Sequence, residues 1–306
     1  LDETATPDDL LLAINKFADL SSGKNETWRG IASSEITKIL KKANVTGASE
    51  IIKNALSLKK QNLSDRYNKS SFLEDIEPWP SQVDGDQLLS KIEIIIIRFL
   101  VLPEQAETAI ALWVLFSWCH DSFSVSPILN IQSPTMRCGK TTVLKILRRL
   151  VPKPLPTSNI STAGLFRSIE HFKSTLIVDE ADTFLKVNEE INGVLNSGHE
   201  KDIAFVVRAE GDNHKPKKFC VWCPKIIAGI GRRKDTLEDR SITINMKRKL
   251  PGDKVEKFIP NNVDEFEQIC QKASRWADDY QDKLFEASPV IPEELNDRAA
   301  DKLGHI

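Results

Sequence analysis

The sequence predicts an α/β fold: a parallel sheet with flanking helices, preceded by a helical region and followed by a helical lid. Three observations predict it. A short apolar run that starts at Ile128, the stretch Thr175–Glu180, which ends in two carboxylates, and the stretch Lys225–Gly231 read as buried strands. Segments with apolar residues at helical spacing separate them, and parallel strands need such crossovers. Two of the strands run directly into residues that carry chemistry: a loop ending in Gly139-Lys-Thr141, and the pair Asp179-Glu180.

Residues 1–75 form a polar, helix-like region. Asp8–Phe17, Ser34–Ala43 and Ala48–Leu56 read as amphipathic helices, the last two joined by Asn-Val-Thr-Gly. Between Lys24 and Lys69 there are ten Lys/Arg against four Asp/Glu, so the segment is locally basic. It suits a small DNA-binding module or a pair of helices packed on a larger body. Glu77-Pro-Trp-Pro80 has a restricted backbone and marks a linker. Residues 76–126 are a helical lead-in, with helices expected at Gln87–Leu100 and Glu104–His120, the second apolar enough to be buried.

Residues 127–250 hold the core. After the Ile128 strand and its loop, Val143–Leu150 has helical spacing, and Pro152, Pro154 and Pro156 read as a break. Helices are expected at Ser161–Ile169, Asn188–Asn196 and Arg232–Arg240, and a last strand at Ser241–Met246. Strands Ile203–Arg208 and Phe219–Trp222 flank a charged turn, giving a β-hairpin whose tip holds His214, Lys215, Lys217 and Lys218. Residues 251–306 form the lid, with a long helix at Val263–Glu286 and a helical piece at Pro292–Gly304.

A strand, a polar loop ending in Gly-Lys-Thr and then a helix is the context of a phosphate site. Unpaired N–H groups at the helix start face an anion, and the helix dipole adds to them. The expected nucleotide-binding residues are Ser133, Pro134, Thr135, Met136, Arg137, Cys138, Gly139, Lys140, Thr141 and Thr142. Lys140 would reach the outer phosphates of ATP, and Thr141 would hold Mg²⁺. Pro134 stands where the P-loop pattern has glycine, which stiffens the loop's entry and removes one donor. About forty residues later, Asp179 would share the Mg²⁺ and Glu180 would polarise the attacking water.

The chain has 306 residues, is 41% hydrophobic and carries net charge −2, so wholesale electrostatic binding of nucleic acid is not expected and any contact must be local. Five cysteines without regular spacing suggest a reducing compartment. Cys220-Val-Trp-Cys223 lacks a second ligand pair and reads as strand packing. Apolar stretches such as Ile94–Leu102 are too short to span a bilayer and no signal peptide is evident, so no membrane contact and a cytoplasmic location are expected.

With an intervening strand between the Gly-Lys-Thr loop and the Asp-Glu strand, the pattern resembles AAA+ (ASCE-type) P-loop ATPases. Glu77 to Asp301 is also similar to uncharacterised ATPase domains of phage, plasmid and mobile-element replication proteins of primase-helicase type. Seven blocks carry the likeness: Ser133-Pro134, Cys138–Thr142, Val178–Asp182, Leu195–His199, Pro224-Lys225, Asp239–Ser241 and Leu295–Asp301. By this resemblance Arg240 matches an arginine finger that reaches a neighbour's γ-phosphate, implying a homo-oligomer, a hexameric ring. Gly229 and Gly231 stand where a polar sensor usually sits. The hairpin resembles the DNA-touching hairpin of viral-type ring helicases.

The expected function is therefore ATP hydrolysis, with Glu180, Lys140 and Arg240 catalytic. It would be coupled to translocation on, or remodelling of, single-stranded or forked DNA, with a primase or other replication protein as partner. The alternative is a nucleotide-driven switch or loader acting on a protein without unwinding. A small-molecule kinase would have no use for the finger or the basic hairpin. Asp179–Asp182 spells a DEAD box, but no second lobe or Ser-Ala-Thr motif accompanies it.

Overall fold

The computed structural model describes residues 6–21, 26–43, 45–55, 73, 75–157, 160–183, 188–210, 215–259 and 263–290. The chain divides into two compact units, Leu1–Ser71 and Phe72–Ile306. In the first, α1 (Pro7–Ser21), α2 (Glu26–Lys42) and α3 (residues 48–55) enclose a small core of Ile14, Phe17, Leu40, Ala48 and Ile52. Gly47 turns the chain into α3 with φ +73°, a conformation that costs glycine least.

The second unit is built on a five-stranded parallel sheet: β1 (Ile128–Ser133), β2 (Pro154–Thr157), β3 (Thr175–Val178), β6 (Lys225–Ile230) and β7 (Ser241–Asn245). Their spatial order is β2-β3-β6-β1-β7, so β6 separates β1 from β3, as expected for the intervening strand. Register runs Leu129↔Ile226, Ile128↔Ser241 and Ile177↔Ile226. All six residues of β1 are buried, the mark of a strand covered on both faces.

One face carries Leu129, Ile131, Ile177, Ile226, Ala228 and Ile244 and packs against α4 (Gly85–Phe99), α5 (Ala106–Trp118), α6 (Lys140–Leu147) and α10 (Val263–Glu286). Asp84 caps α4 by accepting from Gln87 N at 2.8 Å. In α5, Trp113 is fully buried and its Nε1 donates to Pro127 O at 2.9 Å, fixing the entry to β1. A bidentate pair between Arg98 and Glu265, both contacts 2.9 Å, ties α4 to α10.

The other face carries Ile128, Leu176, Val178 and Ile227 and packs against α7 (Thr162–Phe172), α8 (Glu189–Ser197), Leu237 of the short α9 (Asp235–Glu238) and the hairpin β4 (Phe205–Glu210)–β5 (Lys215–Cys220). Ser161 caps α7, accepting from Gly164 N at 3.1 Å.

Three expectations are corrected. The proline-rich stretch after α6 is not a break but the edge strand β2, parallel to β3. Lys153 O and Thr157 O accept from Thr175 N and Asp179 N, so residues 153, 155 and 157 face β3. Pro154 and Pro156 face away, where a missing N–H costs no ladder bond. The helix expected at Arg232–Arg240 contracts to α9. Finally, Lys215, Lys217 and Lys218 belong to the strand β5 rather than to a tip. They pair with Glu210, Arg208 and Val207. His214 and the Pro292–Gly304 piece lie outside the described residues.

Candidate nucleotide site

The carboxyl edge of the sheet gathers the residues from Ser133 to Thr142 and the pair Asp179-Glu180. β1 ends at Ser133, six loop residues follow, and α6 begins at Lys140. Two loop residues adopt positive φ, Arg137 (+63°) and Gly139 (+85°). Among the described residues, none of the N–H groups from Thr135 to Thr141 is engaged in a hydrogen bond. Successive amides left open in a left-handed turn before a helix form an anion-binding concavity. Pro134, Thr135, Met136 and Arg137 are exposed, whereas Cys138 is buried beneath the loop with its Sγ near Thr135 Oγ1 (3.6 Å).

The Lys140 ammonium lies over this loop. Its Nζ donates to Ser133 Oγ at 2.5 Å and to Thr135 O at 3.4 Å, and Ser133 Oγ in turn donates to Thr135 O at 2.7 Å. Thr141, on the first turn of α6, shares a cavity of about 250 Å³ with Asp179 at the end of β3. Lys145 and Arg148 of α6 and Thr157 of β2 also line it. The structure thus brings the hydroxyl and the carboxylate expected to share a metal to one cavity. An all-oxygen donor set of this kind suits a hard cation such as Mg²⁺.

Asp179 Oδ1 accepts from Glu180 N at 2.8 Å, and Glu180 takes φ +52°. A non-glycine residue in this region carries strain of roughly 1–3 kcal/mol, a feature that clusters at functional sites. The turn leaves the Glu180 side chain exposed at the edge. Two further links tie the site together: Gly231 N donates to Ser133 O (2.9 Å), and Ile230 N donates to Asp182 Oδ1 (2.9 Å). The end of β6 therefore clasps the loop on one side and the acidic strand on the other.

Arg240 lies elsewhere. Its carbonyl accepts from Ile128 N at 3.0 Å, which puts it at the amino edge of the sheet, and its Nη1 donates to Thr236 O at 2.9 Å. Five residue steps of β1 separate the two edges, about 17 Å at the usual strand rise. The structure does not bring Arg240 to its own chain's Lys140.

The hairpin lysines are exposed and lie partly over aromatic rings: Lys217 Nζ is 4.8 Å from the Phe219 ring centre and Lys218 Nζ is 3.6 Å from that of Phe205. Two basic residues passed over in the sequence join them. Arg167 of α7 and Arg208 of β4 each lie over Phe166, at 5.6 and 5.9 Å, and Arg167 also faces Phe219 at 5.8 Å. Phe166 and Phe219 pack at 4.6 Å. Arg208 and Lys217 are direct cross-strand partners, an arrangement that like charges disfavour. Their convergence depends on strand register, which the linear sequence does not display.

No helix among the described residues is long and apolar enough to cross a membrane. Residues 245–304 match the model of a family described as "Protein of unknown function (DUF3631)". No curated protein matches the chain. Among solved structures it is similar to one described as "The A form apo structure of NrS-1 C terminal region-CTR", at 13% identity and a TM-score of 0.36, covering 75% of this chain and 50% of that one. A second, of "NrS-1 C terminal region-CTR(305-718)", gives 14% identity and a TM-score of 0.33, covering 67% and 46%. The chain spans about half the length of the solved structures it matches.

Proposed function

We propose that the chain is a P-loop ATPase of AAA+ type, acting as a homo-oligomeric ring on single-stranded or forked DNA. One observation carries the reading. Seven unengaged amides, five in the loop and two in the first turn of α6, stand with the Lys140 ammonium beside a cavity lined by both Thr141 and Asp179. In this reading the amides and Lys140 hold the phosphates, and Thr141 and Asp179 hold Mg²⁺. The ion would neutralise charge on the β- and γ-phosphates. Glu180, exposed at the same edge, accepts a proton from the attacking water and so orients it. Arg240 of one subunit completes the site of its neighbour.

The cations of the hairpin and α7 would contact DNA, since basic groups interleaved with aromatic rings suit sequence-tolerant binding of single strands. The placement of Lys217 and Lys218 over their own rings favours a second reading as well. Those lysines would then shield apolar surface, and the ATPase would be a switch or loader acting on a protein, such as a primase or another replication protein. ATP turnover with and without single-stranded DNA separates the two. The motor reading expects stimulation, and the switch reading expects none. Absence of any Mg²⁺-dependent turnover in either condition would refute both.

A further inference from the structure

The smaller unit carries a groove that plays no part in the ATPase reading. It lies between α2 and α3 and has a volume of about 620 Å³. Gly30, Ser34, Lys38 and Lys41 line it from α2, and Ser49 and Lys53 line it from α3. Steps of three and four residues put each set on one helix face. The three lysines are exposed, and no acidic or aromatic side chain is among the described lining residues. Apart from Ile52, which also belongs to the core, the rest of the lining is glycine and hydroxyl side chains.

These cations are open to a ligand. Lys38 pairs with Glu35 at 2.8 Å, but both side chains are more than half exposed, and a pair of that kind contributes little and yields to a second anion. The ammonium groups of Lys41 and Lys53 and the hydroxyls of Ser34 and Ser49 take no partner among the described residues. Lys38 and Lys41 stand one helical turn apart, a like-charge spacing that a helix disfavours and a bound anion would relieve. At Gly30 a Cβ would meet nothing within 4 Å, so packing does not require glycine there. Its lack of a side chain keeps that part of the groove clear.

We infer that this groove holds the phosphate backbone of duplex DNA without reading its sequence. From Gly30 to Lys41 the α2 face runs about 17 Å at the helical rise, about five steps of a B-form strand. Three cations spread over two helices suit a polyanion better than a single phosphate group. Single-strand binders stack bases on aromatic rings, and this lining has none, so its contacts reach the backbone alone. A duplex also presents the denser charge, one for about every 1.7 Å of its axis.

Fluorescence anisotropy with a labelled duplex and a labelled single strand tests this on the full chain. Lys215→Ala, Lys217→Ala and Lys218→Ala serve as the background, so that the hairpin adds no second contact. In that background Lys38→Ala, Lys41→Ala and Lys53→Ala together should lower the log–log salt slope of duplex binding by about 2.7, at about 0.9 for each phosphate no longer neutralised. Gly30→Glu places a carboxylate in the groove and should weaken duplex binding about tenfold or more, whereas Gly30→Lys should tighten it. Both changes put a better helix former into open space, so a purely structural effect would carry the same sign in the two variants. An unchanged slope and affinity, equal shifts in the two Gly30 variants, a loss confined to the single strand, or no duplex binding at all would each overturn the groove. ATP turnover is read alongside, because this inference does not rest on the nucleotide site. A chain that binds duplex through the groove and hydrolyses no ATP sinks the ATPase reading and leaves the groove standing.

Discussion

Arg240 offers the sharpest test of the oligomeric reading. Its backbone is fixed at the amino edge of the sheet by Ile128 N, and the loop before Lys140 of the same chain lies at the carboxyl edge, about 17 Å away along β1. On the proposed reading, Arg240 serves the site of a neighbouring chain. Arginine fingers contribute roughly 10³–10⁵ in rate, so Arg240→Ala should retain nucleotide binding and lose nearly all turnover. Lys140→Ala should be inactive for the opposite reason, keeping its finger and losing its phosphate cation. When the two inactive chains are mixed in equal amounts, a competent site needs an intact Lys140 on one chain and an intact Arg240 on the next. In a randomly assembled ring with head-to-tail interfaces, about one interface in four meets that condition. Steady-state ATPase measured across mixing ratios should therefore rise from nothing to about a quarter of the wild-type rate at equal amounts. A dead mixture, with co-assembly of the two chains shown by differential tagging, would refute action in trans.

Further expectations follow from the site and its surroundings. Lys140→Ala should abolish nucleotide binding, whereas Glu180→Gln should bind normally and turn over roughly 10²–10⁴ times more slowly; normal turnover in Glu180→Gln would overturn its assignment. Replacing Lys215, Lys217 and Lys218 with Ala should flatten the salt dependence of single-strand binding by about two units of log–log slope, at about 0.7 for each phosphate no longer neutralised, and leave basal hydrolysis intact. An unchanged slope would make those lysines a cover for Phe205 and Phe219 and nothing more. His120 is buried, and burial first, then Lys225 and Lys201, hold its pKa well below the usual 6.5. Below pH 6.5 the unfolded chain therefore binds a proton that the folded chain refuses. Stability should fall with acidity at up to about 1.4 kcal/mol per pH unit from this group alone. Urea unfolding of His120→Phe should show an acid-side slope shallower by about one proton, and an identical slope would remove His120 from the account.

Much of this site is legible in the sequence because its parts are local. Strand, open loop, Lys140 and helix follow one another within a few residues, and Asp179 closes the next buried strand. Local patterns of this kind survive translation into structure. What escapes a linear reading depends on partners distant in sequence. The prolines of β2 ordinarily stop a strand, and only pairing with β3 on one side shows them facing away from the ladder. Charge and Pro216 make Lys215–Lys218 look like a turn, yet register against Glu210, Arg208 and Val207 makes it a strand. Glu180 gives no sign of its positive φ, since nothing in the residue type favours that conformation.

Not every distinctive block belongs to the chemistry. Lys225 is fully buried at the amino end of β6, and its Nζ donates to Gly198 O at 2.6 Å and Cys223 O at 2.7 Å. Burial lowers its pKa, the opposite of what an exposed phosphate-binding lysine would need. Gly198 accepts this approach only because it lacks a Cβ, which would sit 2.4 Å from Val221 O and 2.8 Å from the Lys225 ammonium. Next to it, His199 and Ser126 bond each other twice, His199 O accepting from Ser126 N (2.7 Å) and Ser126 O lying 3.1 Å from His199 Nδ1. Ser126 Oγ lies 2.9 Å from His120 Nε2, whose ring stacks on Trp222 at 4.2 Å. These contacts fasten the end of α8, the return from the hairpin and the lead-in to β1 onto one edge of the sheet. Leu195–His199 and Pro224-Lys225 are therefore scaffold, a strand length away from Lys140. Their work is to hold β6 in the middle of the sheet, and only from there can its far end clasp both Ser133 and Asp182.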